Sequence, residues 1–80
     1  MDTTKIISED LVNHPPHYTD GNIECIDAIE SAVAGMSDGF SAYCTAAAIK
    51  YLWRWKLKGT PKQDLEKAKW YIDKLLTRIW

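Results

Sequence analysis

The apolar and polar positions of the chain fall into three blocks with a helical period. Ile26, Ile29, Val33 and Met36 recur at spacings of three and four and make one apolar face. Asn22 suits an N-cap and Gly35 a C-terminal stop, so a first helix is predicted over 22–35. Glu24 and Asp27 fall near its start, where negative charge suits the helix dipole. A second helix is predicted over 38–58, beginning after Ser37 and ended by Gly59. Its centre, Tyr43 to Trp53, is apolar nearly all the way round, which demands cover from more than one partner. Ala46, Ala47 and Ala48 there allow another helix to approach closely.

The third helix, predicted over 61–79, has the clearest start. Thr60 can cap it, Pro61 fits the first helical position, and Gln63 completes a capping box. Leu65, Ala68, Ile72, Leu75, Leu76 and Ile79 mark its buried face, and Lys67, Lys69, Lys74 and Arg78 decorate the rest. Residues 1–20 lack this period. They contain Asn13-His14-Pro15-Pro16-His17-Tyr18, where consecutive prolines remove backbone donors and impose extended geometry. No period-2 strand, internal repeat or low-complexity tract is visible. The expectation is an all-α fold: a single three-helix compact domain over 1–80 with an extended His-Pro-rich N-terminal arm.

Length adds the expectation of an oligomer. Eighty residues bury a modest fraction of their surface, and chains this short are often marginal alone. Four Trp, four Tyr and one Phe are more aromatic surface than so small a core easily encloses, and aromatics are enriched at interfaces. Trp53, Trp55, Trp70 and Trp80 are the expected subunit contacts. Met1-Asp2-Thr3-Thr4 shows no apolar signal segment, so Cys25 and Cys44 are expected to be reduced and buried. No apolar run reaches the ~20 residues of a membrane span, so no membrane partner is expected. The net charge of -1 gives no bulk pull on DNA, though a local basic patch stays open.

Three groups can carry chemistry. Lys50, Arg54 and Lys58 are four apart and stack on one helix face beside Trp53 and Trp55. Such a stripe can hold phosphates while a ring stacks a base. It can equally be a solvated cationic stripe near a helix C-terminus, where cations are favoured without any ligand. His14, His17 and Tyr18 can supply proton transfer or ligand contacts, or can simply pack the arm on the helices. Glu24, Asp27 and Glu30, with Asp64 and Glu66, can hold Mg2+ or act as bases. Dipole-complementing and surface charges explain them as well, Asp64 included. Walker-type and dinucleotide glycine loops are missing, as are zinc spacings and a nucleophile elbow. No metal ligand set is assigned.

The order of several blocks carries a resemblance. They are Asn13-His14-Pro15-Pro16-His17-Tyr18; Gly21-Asn22-Ile23-Glu24-Cys25-Ile26-Asp27; Ala48-Ile49-Lys50-Tyr51-Leu52-Trp53-Arg54 with Lys58-Gly59; and Asp64-Leu65-Glu66-Lys67-Ala68-Lys69-Trp70-Tyr71-Ile72. Over roughly residues 12–76 this resembles a family of small bacteriophage proteins of unknown function, also labelled SaV-like. Some members carry the name phage nucleotide kinase. The resemblance implies an early phage protein in the cytoplasm of the infected bacterial host. In the kinase branch it implies phosphate transfer to nucleoside monophosphates without a Walker loop, with Mg2+ if ATP is the donor. By position, the motif-matching residues are His14, His17, Tyr18, Glu24, Asp27, Lys50, Tyr51, Arg54, Lys58, Asp64, Lys67 and Trp70.

The leading expectation is a nucleotide-binding protein. His17, Tyr18, Lys50, Tyr51, Arg54, Lys58, Lys67 and Trp70 would contact the nucleotide, and His14 and Asp27 would move protons if it is a kinase. One alternative is a non-catalytic sponge that sequesters a host immune signalling nucleotide. The other is a protein-binding module that engages a host abortive-infection component through its aromatic surface.

Overall fold

A computed structural model describes residues 21–57 and 59–79. Among these residues the chain is three α-helices with no strand: α1 (Cys25–Val33), α2 (Gly39–Arg54) and α3 (Pro61–Ile79). The all-α expectation therefore holds for them. The arm, Lys58 and Trp80 lie outside the described residues.

The helix ends follow local chemistry, with two corrections. α1 starts at Cys25, and its N-cap position is Glu24, in extended geometry with no side-chain cap bond. The Glu24 carbonyl closes the first turn by accepting from the N–H groups of Asp27 and Ala28, both at 3.1 Å. Asn22, the expected cap, instead lies in the bend that follows Gly21, whose φ is +136°. Gly35 does end α1, at φ +84°, while the Met36 N–H bonds back to the Val33 carbonyl at 3.0 Å.

α2 begins as expected. Asp38 caps it, accepting from the Ser41 N–H at 3.3 Å and from the Ser41 hydroxyl at 2.6 Å. It ends at Arg54, before the predicted Lys58. The Leu57 N–H bonds to the Arg54 carbonyl at 2.9 Å, three residues back, so the helix tightens into a turn well ahead of Gly59. At this point Arg54 is held by Asp64, in the first turn of α3, so the pair spans the reversal between the two helices.

α2 packs against both neighbours, more extensively against α3. The α2–α3 pair is antiparallel. Arg54 meets Asp64 at one end, and Asp38 meets Arg78 at 3.2 Å at the other. Small side chains line the interior: Cys25, Cys44, Ala47, Ala48 and Ala68 are its buried apolar residues, joined by Asp64. Ala47 sits one turn from both Tyr43 and Tyr51, the residues that touch Tyr71 of α3, so small residues are what let this pair close up. Both cysteines are free and buried, as expected. Burial raises the Cys25 thiol pKa, partly offset by the positive charge of Lys50.

This core is thin. Burying a Leu or Ile side chain contributes ~1.5–3 kcal/mol, and no Leu or Ile among the described residues is fully buried. Ile26 and Met36, expected on the buried face of α1, are exposed, while Ile29 and Val33 are half-buried. Leu65, Ile72, Leu76 and Ile79 of the predicted buried face of α3 are exposed too. Only Ala68 is buried there and Leu75 half-buried.

Candidate functional site

The densest polar arrangement lies where the end of α2 meets the start of α3. Lys50 and Arg54 are one turn apart on α2, and Lys67 comes across from α3. All three surround the ring of Tyr51: the Arg54 guanidinium carbon is 4.7 Å from the ring centroid, Lys50 Nζ 5.0 Å and Lys67 Nζ 5.4 Å. Cation–π attraction draws each of them to the ring face or rim, but it also gathers three like charges in one place.

Arg54 is the member whose charge is already answered. Its Nε lies 3.4 Å from Asp64 Oδ2, and its second terminal nitrogen donates to Asp64 Oδ1 at 3.4 Å. Asp64 is 1% exposed. A carboxylate this buried persists only with a charged partner, so the pair is a built-in clamp between the two helices. Among the described residues, neither Lys50 nor Lys67 has a carboxylate within ion-pair distance.

Aromatic rings extend the cluster along α3. Tyr51 stacks on Tyr71, with centroids 6.1 Å apart and planes 12° from parallel. Tyr71 meets Tyr43 and Trp70 edge to face, at 5.7 and 5.0 Å. The Tyr43 and Tyr71 hydroxyls share a hydrogen bond of 3.3 Å. That bond, with partial burial behind it, pushes the Tyr71 phenol up to about 12, so it stays protonated at any physiological pH. Trp70 keeps more than half of its surface exposed, and Lys74 Nζ lies 5.2 Å from its ring. Arg78 covers Phe40 at 4.6 Å while also bonding Asp38.

Of the residues expected at the site, Lys50, Tyr51, Arg54 and Lys67 are brought together, and Trp70 is joined to them through Tyr71. Asp27 is exposed in the first turn of α1, two residues past Cys25. His14, His17, Tyr18 and Lys58 lie outside the described residues. Sequence reasoning missed Tyr43, Tyr71 and the pairing of Asp64. The spacing 64, 68, 71, 75 was a legible signal, since it puts all four on one face of α3. A second missed signal is charge order. Residues 1–38 hold eight Asp or Glu and one Lys, whereas residues 39–80 hold three Asp or Glu and nine Lys or Arg. The near-neutral total conceals a basic α2–α3 half.

Residues 12–73 match the model of a family described as a protein of unknown function, DUF3310. The chain belongs to the DUF3310 family. The matched stretch takes in the whole of α1 and α2 and the part of α3 that carries Asp64, Lys67, Trp70 and Tyr71. No curated protein and no solved structure gives a significant match to this DUF3310 chain. Among the described residues no helix is long and apolar enough to cross a membrane, and no group of three or more His, Cys, Asp or Glu can hold a metal ion.

Proposed function

We propose that this DUF3310 chain is a nucleotide-binding protein, with Lys50 and Lys67 gripping phosphate beside Tyr51 and Trp70 stacking the base. The observation that carries this reading is the meeting of two ammonium groups, from two helices, over one ring, with no carboxylate within ion-pair distance of either among the described residues. Their mutual repulsion is a cost that an anion relieves. Phosphate oxygens take charge-assisted hydrogen bonds from both, and the exposed face of Trp70 offers a base ~1–3 kcal/mol of stacking. Arg54 adds positive potential, while Asp64 holds its guanidinium in place. The resemblance of its sequence blocks to small bacteriophage proteins supports an infected bacterium as the setting.

Binding without turnover comes first among the uses of such a site. The carboxylate placed against these cations, Asp64, is buried on Arg54 and so is not presented to a ligand or to Mg2+. Phosphate transfer, with His14 or Asp27 moving the proton, remains the kinase form of the proposal. One assay separates the two. A kinase given a nucleoside monophosphate and ATP yields a diphosphate, and a sponge returns its nucleotide intact after denaturation.

The decisive variants are Lys50→Ala and Lys67→Ala. Each should weaken nucleotide affinity ~10-fold, about 1.4 kcal/mol, with little change in melting temperature. Arg54→Ala is a poor probe because it also strips Asp64 of its partner. If both lysine variants bind every nucleoside phosphate as tightly as the parent, the phosphate site is misplaced.

A further inference from the structure

The exposed flank of α3 carries its own pattern. Leu65, Ile72 and Ile79 are seven apart, and Leu76 lies one turn before Ile79 and one turn after Ile72. All four are exposed large hydrophobics, from 39% at Leu65 to 67% at Ile79. With the buried Ala68 and half-buried Leu75 they complete a heptad over the helix. Ala68 and Leu75 serve the contact with α2, while the seven-residue row beside them faces outward. At 1.5 Å per residue the row is ~21 Å long, enough for a full helix-to-helix seam.

We propose that a second copy of this chain docks on this row, α3 against α3, in antiparallel orientation. Four observations commit the face to another copy. The seven-residue repeat is the spacing that one helix presents to another. Leu65 and Ile79 are equidistant from Ile72, so a two-fold axis at Ile72 sets each end residue against the other end of the second helix, with Leu76 widening the row on one side. On the flank beside the row, Lys69 and Asp73 pair with each other at 2.9 Å within the chain, and the same axis brings this exposed pair near its copy, where the partners can exchange across the seam. Among the described residues the row leaves large apolar side chains in water, and this contact would remove them from it.

The docking leaves the nucleotide site open. Lys67 follows Leu65 by two positions, about 200° round the helix, so the cationic cluster and the seam lie on different sides of α3. The proposal therefore stands or falls apart from the nucleotide reading.

The full chain should sediment at micromolar concentration with twice its 9.1 kDa mass. Ile72→Glu should raise the dissociation constant at least about tenfold while the helical circular dichroism persists. Ile72→Cys puts a thiol on the axis, and mild oxidation should link two copies. Thr77→Cys, on the polar face of α3, serves as control and should link far more slowly. A 9.1 kDa particle at all concentrations overturns the proposal, as does cross-linking of Ile72→Cys no faster than the control. A flank covered within one chain gives that small particle. The cysteine pair decides the matter even if Ile72→Glu fails to fold.

Discussion

At the scale of single residues the Arg54–Asp64 pair organises both fold and site. It ties the last residue of α2 to the first turn of α3 and holds a guanidinium at 4.7 Å from the Tyr51 ring. Removing one partner of a buried ion pair leaves the other charge uncompensated, which costs ~3–5 kcal/mol. Asp64→Ala and Arg54→Ala should each lose about 3 kcal/mol in urea unfolding. The double variant should lose clearly less than the two losses added together, by 1 kcal/mol or more. An Asp64→Ala stability within 0.5 kcal/mol of the parent would remove the clamp from the account. This pairing was hidden in the sequence for a physical reason. An aspartate shortly after a helix-starting proline is explained by the dipole alone, and only the reversal between α2 and α3 brings it to Arg54. The lysines were more legible: Lys50 and Arg54 share a face by spacing, whereas Lys67 needed the antiparallel packing to reach the same ring.

At the scale of elements, local signals and tertiary contacts divide the credit. α3 spans Pro61–Ile79, matching its predicted range, because its start is written in Thr60 and Pro61. Gly35 ends α1 as expected, and Asp38, whose capping role was not anticipated, likewise acts within a few residues of itself. α2 ends at Arg54, ahead of the predicted Lys58, and the pairing of Arg54 with Asp64 across the reversal is a contact that local signals do not carry. Apolar periodicity predicted a buried face on α3 that is mostly exposed and carried the face of α1 to Met36, past the helix end at Val33, since it cannot say where a helix stops or whether the covering surface belongs to the same chain. Asp38 shows an element-level device beyond capping: it holds the start of α2 through Ser41 and the end of α3 through Arg78. The Ser41 hydroxyl first, and the Arg78 charge after it, hold the Asp38 carboxyl below its ordinary value. Its folded pKa being lowered, its stabilising contribution is present above the ordinary carboxylate pKa and is lost as pH falls through the folded value. Asp38→Ala should lower the melting temperature by a few degrees at neutral pH, and by less in acid. An equal drop at both pH values would mean that the carboxylate charge plays no part.

At the scale of the whole molecule, the described residues gather small side chains inside and place most rings and cations outside. A core of Cys and Ala gives close helix packing but little hydrophobic stabilisation, so the outer surfaces of α2 and α3 become the chemically distinctive part. Composition showed the surplus of aromatics, and the net charge obscured the basic half that they share. The central claim is that this half receives an anionic, aromatic guest through its phosphate. Isothermal calorimetry of the full chain with a nucleoside 5′-monophosphate and triphosphate, against the matching nucleoside, tests it directly. The account predicts saturable binding of the phosphorylated forms, weakening as salt rises, with the nucleoside at least ~10-fold weaker. A nucleoside that binds as tightly as its phosphates, or a chain that binds neither, would contradict it.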